Sequence, residues 1–430
     1  MTLRIRWVLV SMLFLGSIVA YLDRAALSIA APFIVREMHL APAQLGIVFS
    51  SFFAGYALFC FVGGHAADRF GAKRVFTTSF VVWSVFCGLT AAALNVTTLL
   101  LTRIGLGIGE GPFSATANKL VNEWFPHRER ASAVGICNAG GPLGAALAGP
   151  LFGMLALSFG WRVAFVLISL IGFVWVAAWA ALAADSPGKS RLVSAQEREE
   201  IGAGSPARND ADAPSLGSYL RKPSLLATAW AFFGFNYTIY FLISWFPMYL
   251  TMEYHMPLQR MAMINAIPWI GAFVGMAGGG FLSDFVFRLT GRAIFSRKLV
   301  SCTLLTLSGI GIVLSGELHS AMAATAIMSV ATLSVYLTAT SYWAIIGDSV
   351  APARVGGVGG FVHFLSNCSG IVGPAVTGYL VQWSGHFESA FFLAGAISLS
   401  GALGLLVFVW PSAAEKQQAR ADARTRLAGL

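Results

Sequence analysis

The stretch LLLTRIGLGIGEGPF, Leu99 to Phe113, holds an arginine and a glutamate inside a run that is otherwise soluble in lipid. Arg103 and Glu110 are seven positions apart, so at ~3.6 residues per turn they share one face of a helix. Gly107 and Gly111 lie on or beside that face, and Gly105 and Gly109 thin the other side, so a neighbouring helix or a solute can come close. A second charged pair, Asp23-Arg24, interrupts the apolar N-terminal run. Its adjacent members point roughly 100° apart and so serve different partners. A charge at mid-bilayer costs roughly 2.5–3.5 kcal/mol even on the lenient insertion scale, so these residues face a partner or a watery cavity.

Two cations and two anions make a neutral set. A monocarboxylate arriving beside an arginine leaves one negative charge uncompensated, and protonation of Glu110 or Asp23 is the least costly remedy. Anion binding and proton uptake are then linked, with Glu110 the first candidate to carry the proton and Asp23 the second. Arginine suits the substrate's charge because its planar fork holds a carboxylate with two hydrogen bonds and stays charged. Arg24 ranks ahead of Arg103 for that role. One of the four charges is expected to brace a neighbouring helix instead.

The uncharged candidates for substrate contact are Tyr56, Asn236, Tyr237, Tyr240, Asn265, His363 and Asn367, all polar groups within apolar stretches. Such residues serve as often to join helices. His363 and Asn367 are four apart and share a face; His363 alone fits a structural hydrogen bond better than proton carriage. Trp230, Trp245 and Trp410 are expected in the interfacial belts.

The elements that must position these residues follow from composition. The 430 residues are 57% hydrophobic and 11% charged, with a mean hydropathy of +0.73, against roughly 25% charged for soluble domains. This is the profile of an integral membrane protein. At ~20 apolar residues per span, twelve spans are predicted, near 7–30, 44–66, 74–95, 97–119, 131–155 and 161–184, then 224–250, 262–285, 297–317, 319–343, 355–380 and 387–411. The predicted organisation is a six-helix bundle over 1–184, a polar linker over 185–222, a second six-helix bundle over 223–411, and a polar, basic tail over 412–430. The linker, rich in Ser, Pro, Gly and charge, has no sustained apolar face and reads as solvated and cytoplasmic. The N-terminus imitates a secretory signal, with Arg4 and Arg6 ahead of an apolar run, but reads as an uncleaved first span because further spans follow at once.

The formal net charge of +9 is explained by topology. Of the 28 lysines and arginines, all except Arg24 and Arg103 within spans, and Arg36, Arg162 and Arg260 outside, fall on the side of the termini. That asymmetry places both termini in the cytoplasm of a multi-pass protein of the cell's inner membrane, and removes the reason to invoke nucleic acid. The five cysteines lie in apolar segments without CxxC or Cys/His spacing, which argues against disulfides, metal ligation and redox chemistry. No metal or cofactor is expected; the coupling ion is the proton.

The two halves repeat one another. Gly64-xxx-Asp68 near the end of the second span is echoed by Gly280-xxx-Asp284 after the eighth, and Arg130, Gly135, Gly149 and Pro150 recur as Arg354, Gly359, Gly373 and Pro374. A parallel duplication puts the solute site between the halves near mid-membrane, reached alternately from each side. Asp68, Arg69, Arg130, Asp284 and Arg354, at cytoplasmic helix ends, are the candidates for ion pairs and helix-end contacts that favour one state of the gate.

GGHAADRFGAKR, with Gly64, Asp68, Arg69, Gly71, Lys73 and Arg74, resembles the signature between helices two and three of the major facilitator superfamily. Within it, YLDRAALSIAAP, RIGLGIGEGP, EWFPHRERASAVGICNAGGPLG and YFLISWFPMYL resemble the anion:cation symporter branch, over nearly the whole chain. The resemblance implies an all-α membrane fold of twelve helices in two pseudo-symmetric six-helix bundles, working as a monomer by alternating access in proton-coupled uptake of an organic anion such as a sugar acid. It implies proton-coupling carboxylates at Asp23 and Glu110, arginines for substrate charge or for holding those carboxylates at Arg24 and Arg103, and further site residues at Tyr56 and Asn367. One position departs: Gly141 stands where carriers of the galactonate type place glutamine, which favours a bulkier or less hydroxylated acid.

The competing functions are a proton-coupled exporter of drugs or metabolites and a solute sensor on the same fold. GAALAGPLFG only partly matches the antiporter glycine-proline pattern, and two embedded arginines favour an anion over a cationic drug. A sensor needs a partner-binding surface, for which only the linker and tail are available. An enzyme is not expected, since there is no metal cluster, activated serine or phosphate loop; Gly105 to Gly111 lies in a helix and follows no strand.

Overall fold

The computed structural model describes residues 4–202, 215–351 and 354–410. Their regular structure is helical. The first half comprises α1 (Ile5–Met38), α2 (Pro42–Phe70), α3 (Ala72–Leu89), α4 (Val96–Glu110), α5 (Phe113–Trp124), α6 (His127–Phe159) and α7 (Trp161–Leu182). Two short helices, α8 (Ala195–Gly202) and α9 (Leu216–Leu220), belong to the connection. The second half comprises α10 (Pro223–Met252), α11 (Leu258–Ile264), α12 (Ala266–Thr290), α13 (Ala293–Glu317), α14 (Ala321–Leu337), α15 (Ala339–Ser349), α16 (Val355–Ser384) and α17 (Glu388–Phe408).

Three of the twelve spans differ from uninterrupted helices. The fourth, expected over 97–119, is α4 and α5 with a turn at Gly111-Pro112 directly after Glu110. Proline has no N–H and its ring crowds the preceding turn, so the hydrogen-bond ladder is interrupted there. The tenth is divided at Thr338 and the eighth at Asn265.

Close helix approach carries the first half. A Cβ on Gly107 would lie 2.0 Å from the Phe52 carbonyl of α2, and one on Gly109 would lie 2.5 Å from the Trp83 backbone nitrogen of α3. Glycine therefore lets α4 sit against both neighbours at backbone contact.

The halves meet at the end opposite the linker. A Cβ on Gly46 would come within 2.5 Å of the Pro374 carbonyl, and one on Gly378 within 2.5 Å of the Pro42 carbonyl. Gln382 accepts from the Ala43 N–H at 3.1 Å and Ser50 accepts from the Ala375 N–H at 3.0 Å. Trp245, expected at a membrane interface, is instead fully buried here; its Nε1 donates to the Pro374 carbonyl at 3.0 Å and its ring meets Phe49 edge-on. An indole between two halves can satisfy its N–H and bury its rings together. Trp230 and Trp410 are exposed. Toward the linker end, a Cβ on Gly135, Gly356 or Gly360 would meet no atom within 4 Å. The two halves are thus held together at the end opposite the linker.

The stretch read as a solvated linker is partly docked. Glu197 of α8 accepts the N–H groups of Ile5 and Arg6 at 3.1 and 3.0 Å, covering the first turn of α1. The open N–H groups and positive dipole end of a helix attract a carboxylate. Arg6, fully buried, pairs with Glu129 of α6 at 3.1 Å and Glu200 of α8 at 3.1 Å. The tail predicted over 412–430 lies outside the described residues.

Candidate functional site

The four predicted charges gather in the first half, between α1, α3 and α4, and all are buried. Arg24 of α1 forms an ion pair with Glu110 of α4. The guanidinium of Arg24 also sits among aromatic faces, 4.7 Å from the centroid of Tyr21, 4.9 Å from Phe52 and 5.0 Å from Tyr56. Such faces attract a cation and leave its hydrogen-bonding edge directed at an anion. Arg103 stands over the same Phe52 ring at 5.1 Å. Among the described residues no carboxylate lies within 4.0 Å of it, so it is a buried cation without an ion-pair partner. Asp23 faces α3 instead: its Oδ2 accepts from Trp83 Nε1 at 3.0 Å, with the Cys87 thiol beside it.

The second half contributes neutral polar groups. Tyr240 of α10 lies against Phe53 of α2, ring centroids 4.1 Å apart, and the Arg24 guanidinium stands 6.0 Å from that same Phe53 ring. Its hydroxyl donates to Asn367 Oδ1 at 2.5 Å, and the Asn367 amide donates to the His363 carbonyl at 2.7 Å. One wall is thus charged and the facing wall carries hydroxyl and amide.

Of the predicted substrate contacts, the structure brings Tyr56 to Arg24, and Tyr240, with Asn367 bonded to it, to the Phe53 ring beside that guanidinium. It does not bring the others there. Asn236 donates to Ser366 at 3.0 Å within the second half, and the Tyr237 ring covers Gly373, where a Cβ would lie 3.2 Å away. His363 lies between the rings of Phe232 and Trp343, at 5.9 and 5.7 Å, so although it shares a helix with Asn367 it serves other neighbours. Asn265 is buried at the break between α11 and α12.

Among the gate candidates, Asp68 accepts from Lys119 of α5 at 2.7 Å, Arg69 lies over the Phe70 ring, and Arg130 Nε donates to the Phe125 carbonyl at 3.0 Å. Asp284 is exposed and Arg354 stands at the start of α16. In the second half, Arg297 pairs with Asp348.

Three site residues escaped the sequence. Tyr21 fills the space beside Gly141, where a Cβ would be 2.8 Å from its ring. The missing side chain at position 141 is therefore replaced by a half-buried phenol next to Arg24. Trp83 and Cys87 gave no signal because aromatic and small residues abound in every span.

The family model for the Major Facilitator Superfamily matches residues 13–370. The chain belongs to the major facilitator superfamily. Within it, the protein is 44% identical over 401 residues to a hexuronate transporter of Bacillus subtilis, covering 93% of each chain. It is 32% identical to a probable sulfoacetate transporter of Cupriavidus necator, over 94% of each, and 28% identical to a probable L-galactonate transporter of Escherichia coli, over 94% of this chain and 90% of that one. A solved bacterial homologue of the human lysosomal transporter Spinster, inward-facing and unoccupied, superposes with a TM-score of 0.70 at 18% identity, over 95% and 96% of the two chains, and shares the fold of two six-helix bundles. This superfamily member is a multi-pass membrane protein and a secondary transporter.

Proposed function

We propose that the protein is a proton-coupled uptake carrier for a sugar-acid monocarboxylate of the hexuronate kind, working as a monomer in the cell's inner membrane with both termini cytoplasmic. The observation that carries this reading is the electrically neutral buried set in which Arg24 is held by Glu110 while, among the described residues, Arg103 has no carboxylate within ion-pair reach. A substrate carboxylate bound between the arginines competes with Glu110 for Arg24. Glu110, displaced from its cation in a medium that tolerates charge poorly, takes a proton and restores neutrality. Tyr240 and Asn367, polar and uncharged, suit the hydroxyl groups at the other end of such a molecule. The hexuronate transporter at 44% identity supports the substrate class.

The resting contacts support alternating access. The end opposite the linker is closed by Gly46, Gly378 and Trp245, while Asp68 and Arg130 hold neighbours in their own half at the linker end. Those two are proposed to exchange these contacts for partners across the gate when that end closes, with Arg69, Asp284 and Arg354 beside them.

The test is reconstitution in liposomes holding a trapped pH dye, with a panel of uronates, aldonates, aldarates, small dicarboxylates and aromatic acids added outside. Lumen acidification with uronates supports the proposal. Entry of labelled uronate without acidification rejects proton coupling, and acidification with another class alone rejects the substrate assignment.

A further inference from the structure

We infer that Trp83 is a positioning residue for proton exchange at Asp23, fixing which carboxyl oxygen takes the proton and at what pH. The inference deepens the coupling reading above by naming the group that tunes its second carboxylate.

Trp83 Nε1 donates to Asp23 Oδ2 at 3.0 Å, and both side chains are almost wholly buried. An indole N–H donates and cannot accept. Oδ2 therefore stays engaged by the indole in either protonation state, the Cys87 thiol stands beside the carboxyl as a second and weaker donor, and among the described residues no N–H or O–H reaches Oδ1. The proton goes to Oδ1, the O–H bond forming there as the carboxylate's charge is cancelled. Because a hydrogen bond to an ionised acceptor is the stronger kind, the indole favours the anion.

The donor is held in place by its surroundings. The Trp83 ring packs on Phe80 at 3.6 Å, Phe80 stacks on Trp175 at 3.9 Å, and the Trp175 N–H is spent on the Met12 carbonyl at 3.0 Å. On the other side Gly109 lets the Trp83 backbone lie against α4. This packing on both sides holds the indole so that its one polar atom stays aimed at the carboxylate.

The groups acting on Asp23 are Cys87 beside Trp83 on α3, and Arg103 and Glu110 on α4. Arg24, next to it on α1, is turned to Glu110. Of the other helices against α1, α5 carries Glu123 and Lys119, the latter turned to Asp68, α6 keeps Arg128, Glu129 and Arg130 at its linker end, α7 begins with Trp161-Arg162 at the opposite end, and Tyr240 of α10 is turned to Asn367. Trp83 is thus the sole N–H donor to Asp23 among the described residues.

The experiment is infrared titration of the full-length protein in detergent, following the carbonyl band of the protonated carboxyl that Asp23→Asn removes. Trp83→Phe keeps the ring packing and deletes the donor. Its titration midpoint is expected about 1–2 pH units higher than in the unaltered protein, the equivalent of one hydrogen bond to a charged group. The pH profile of uronate uptake in liposomes should move the same way. Should phenylalanine prevent folding, benzothienylalanine at position 83 preserves the bicyclic shape without the N–H. An unmoved midpoint in a folded variant overturns the inference. A moved midpoint in a protein that shows no lumen acidification supports the Trp83–Asp23 link and rejects the coupling reading alone.

Discussion

Exchanging Glu110 for glutamine preserves shape and removes one negative charge from a buried set that sums to zero. Arg24 then keeps an amide oxygen as acceptor but loses its counter-charge. Breaking a buried ion pair by removing one partner costs about 3–5 kcal/mol. The retained amide places this variant toward the lower value, so the empty protein should melt measurably lower. Binding of an anionic substrate restores neutrality, so ligand-induced stabilisation should be larger in Glu110→Gln than in the unaltered protein. The decisive assay is substrate affinity from thermal shift at two pH values on either side of neutrality. Affinity should weaken with rising pH in the unaltered protein and hold constant in the variant, which should still exchange substrate across liposomes without acidifying the lumen. A variant whose affinity falls with pH as steeply as before refutes the assignment of the binding-linked proton to Glu110.

Three further outcomes are expected. Gly378→Val forces side-chain atoms against the Pro42 carbonyl; overpacking of about 1–3 kcal/mol should depopulate the state closed at that end, seen as longer spin-label distances between α2 and α16 there. Glu197→Ala uncovers the first turn of α1 and should lower stability by about 0.5–2 kcal/mol, measured by thermal unfolding, with Glu197→Gln between the two. Lys119→Ala removes an ion pair whose Asp68 is 74% exposed; worth about 0–1 kcal/mol, its loss should leave the melting temperature unchanged while altering the uptake rate, because Asp68 is freed for the gate.

The charges were legible in the sequence because lipid makes each one costly and therefore conspicuous. The same contrast exposed the two halves and the polar connection between them. What joins the charges was less legible. That Arg24 reaches Glu110, and that Asp23 turns to Trp83, depends on how far α1 and α3 are rotated about their axes, which hydropathy does not record. Trp245 shows the same limit: its residue type suits an interface with water or one between halves, and only the packing of α10 on α16 decides. Pro112 did carry a signal for the turn after Glu110, masked by the continuous hydropathy across it.

Among the described residues the charges of the site belong to α1 and α4, whereas α10 and α16 face them with hydroxyl and amide. On the proposed reading, the proton coupling and the anchor for the carboxylate lie on the first half, and discrimination among carboxylates by their hydroxyl groups lies on the second. A chimera that keeps the first half and takes its second half from a relative with another cargo is expected to inherit the new diet and keep the old engine.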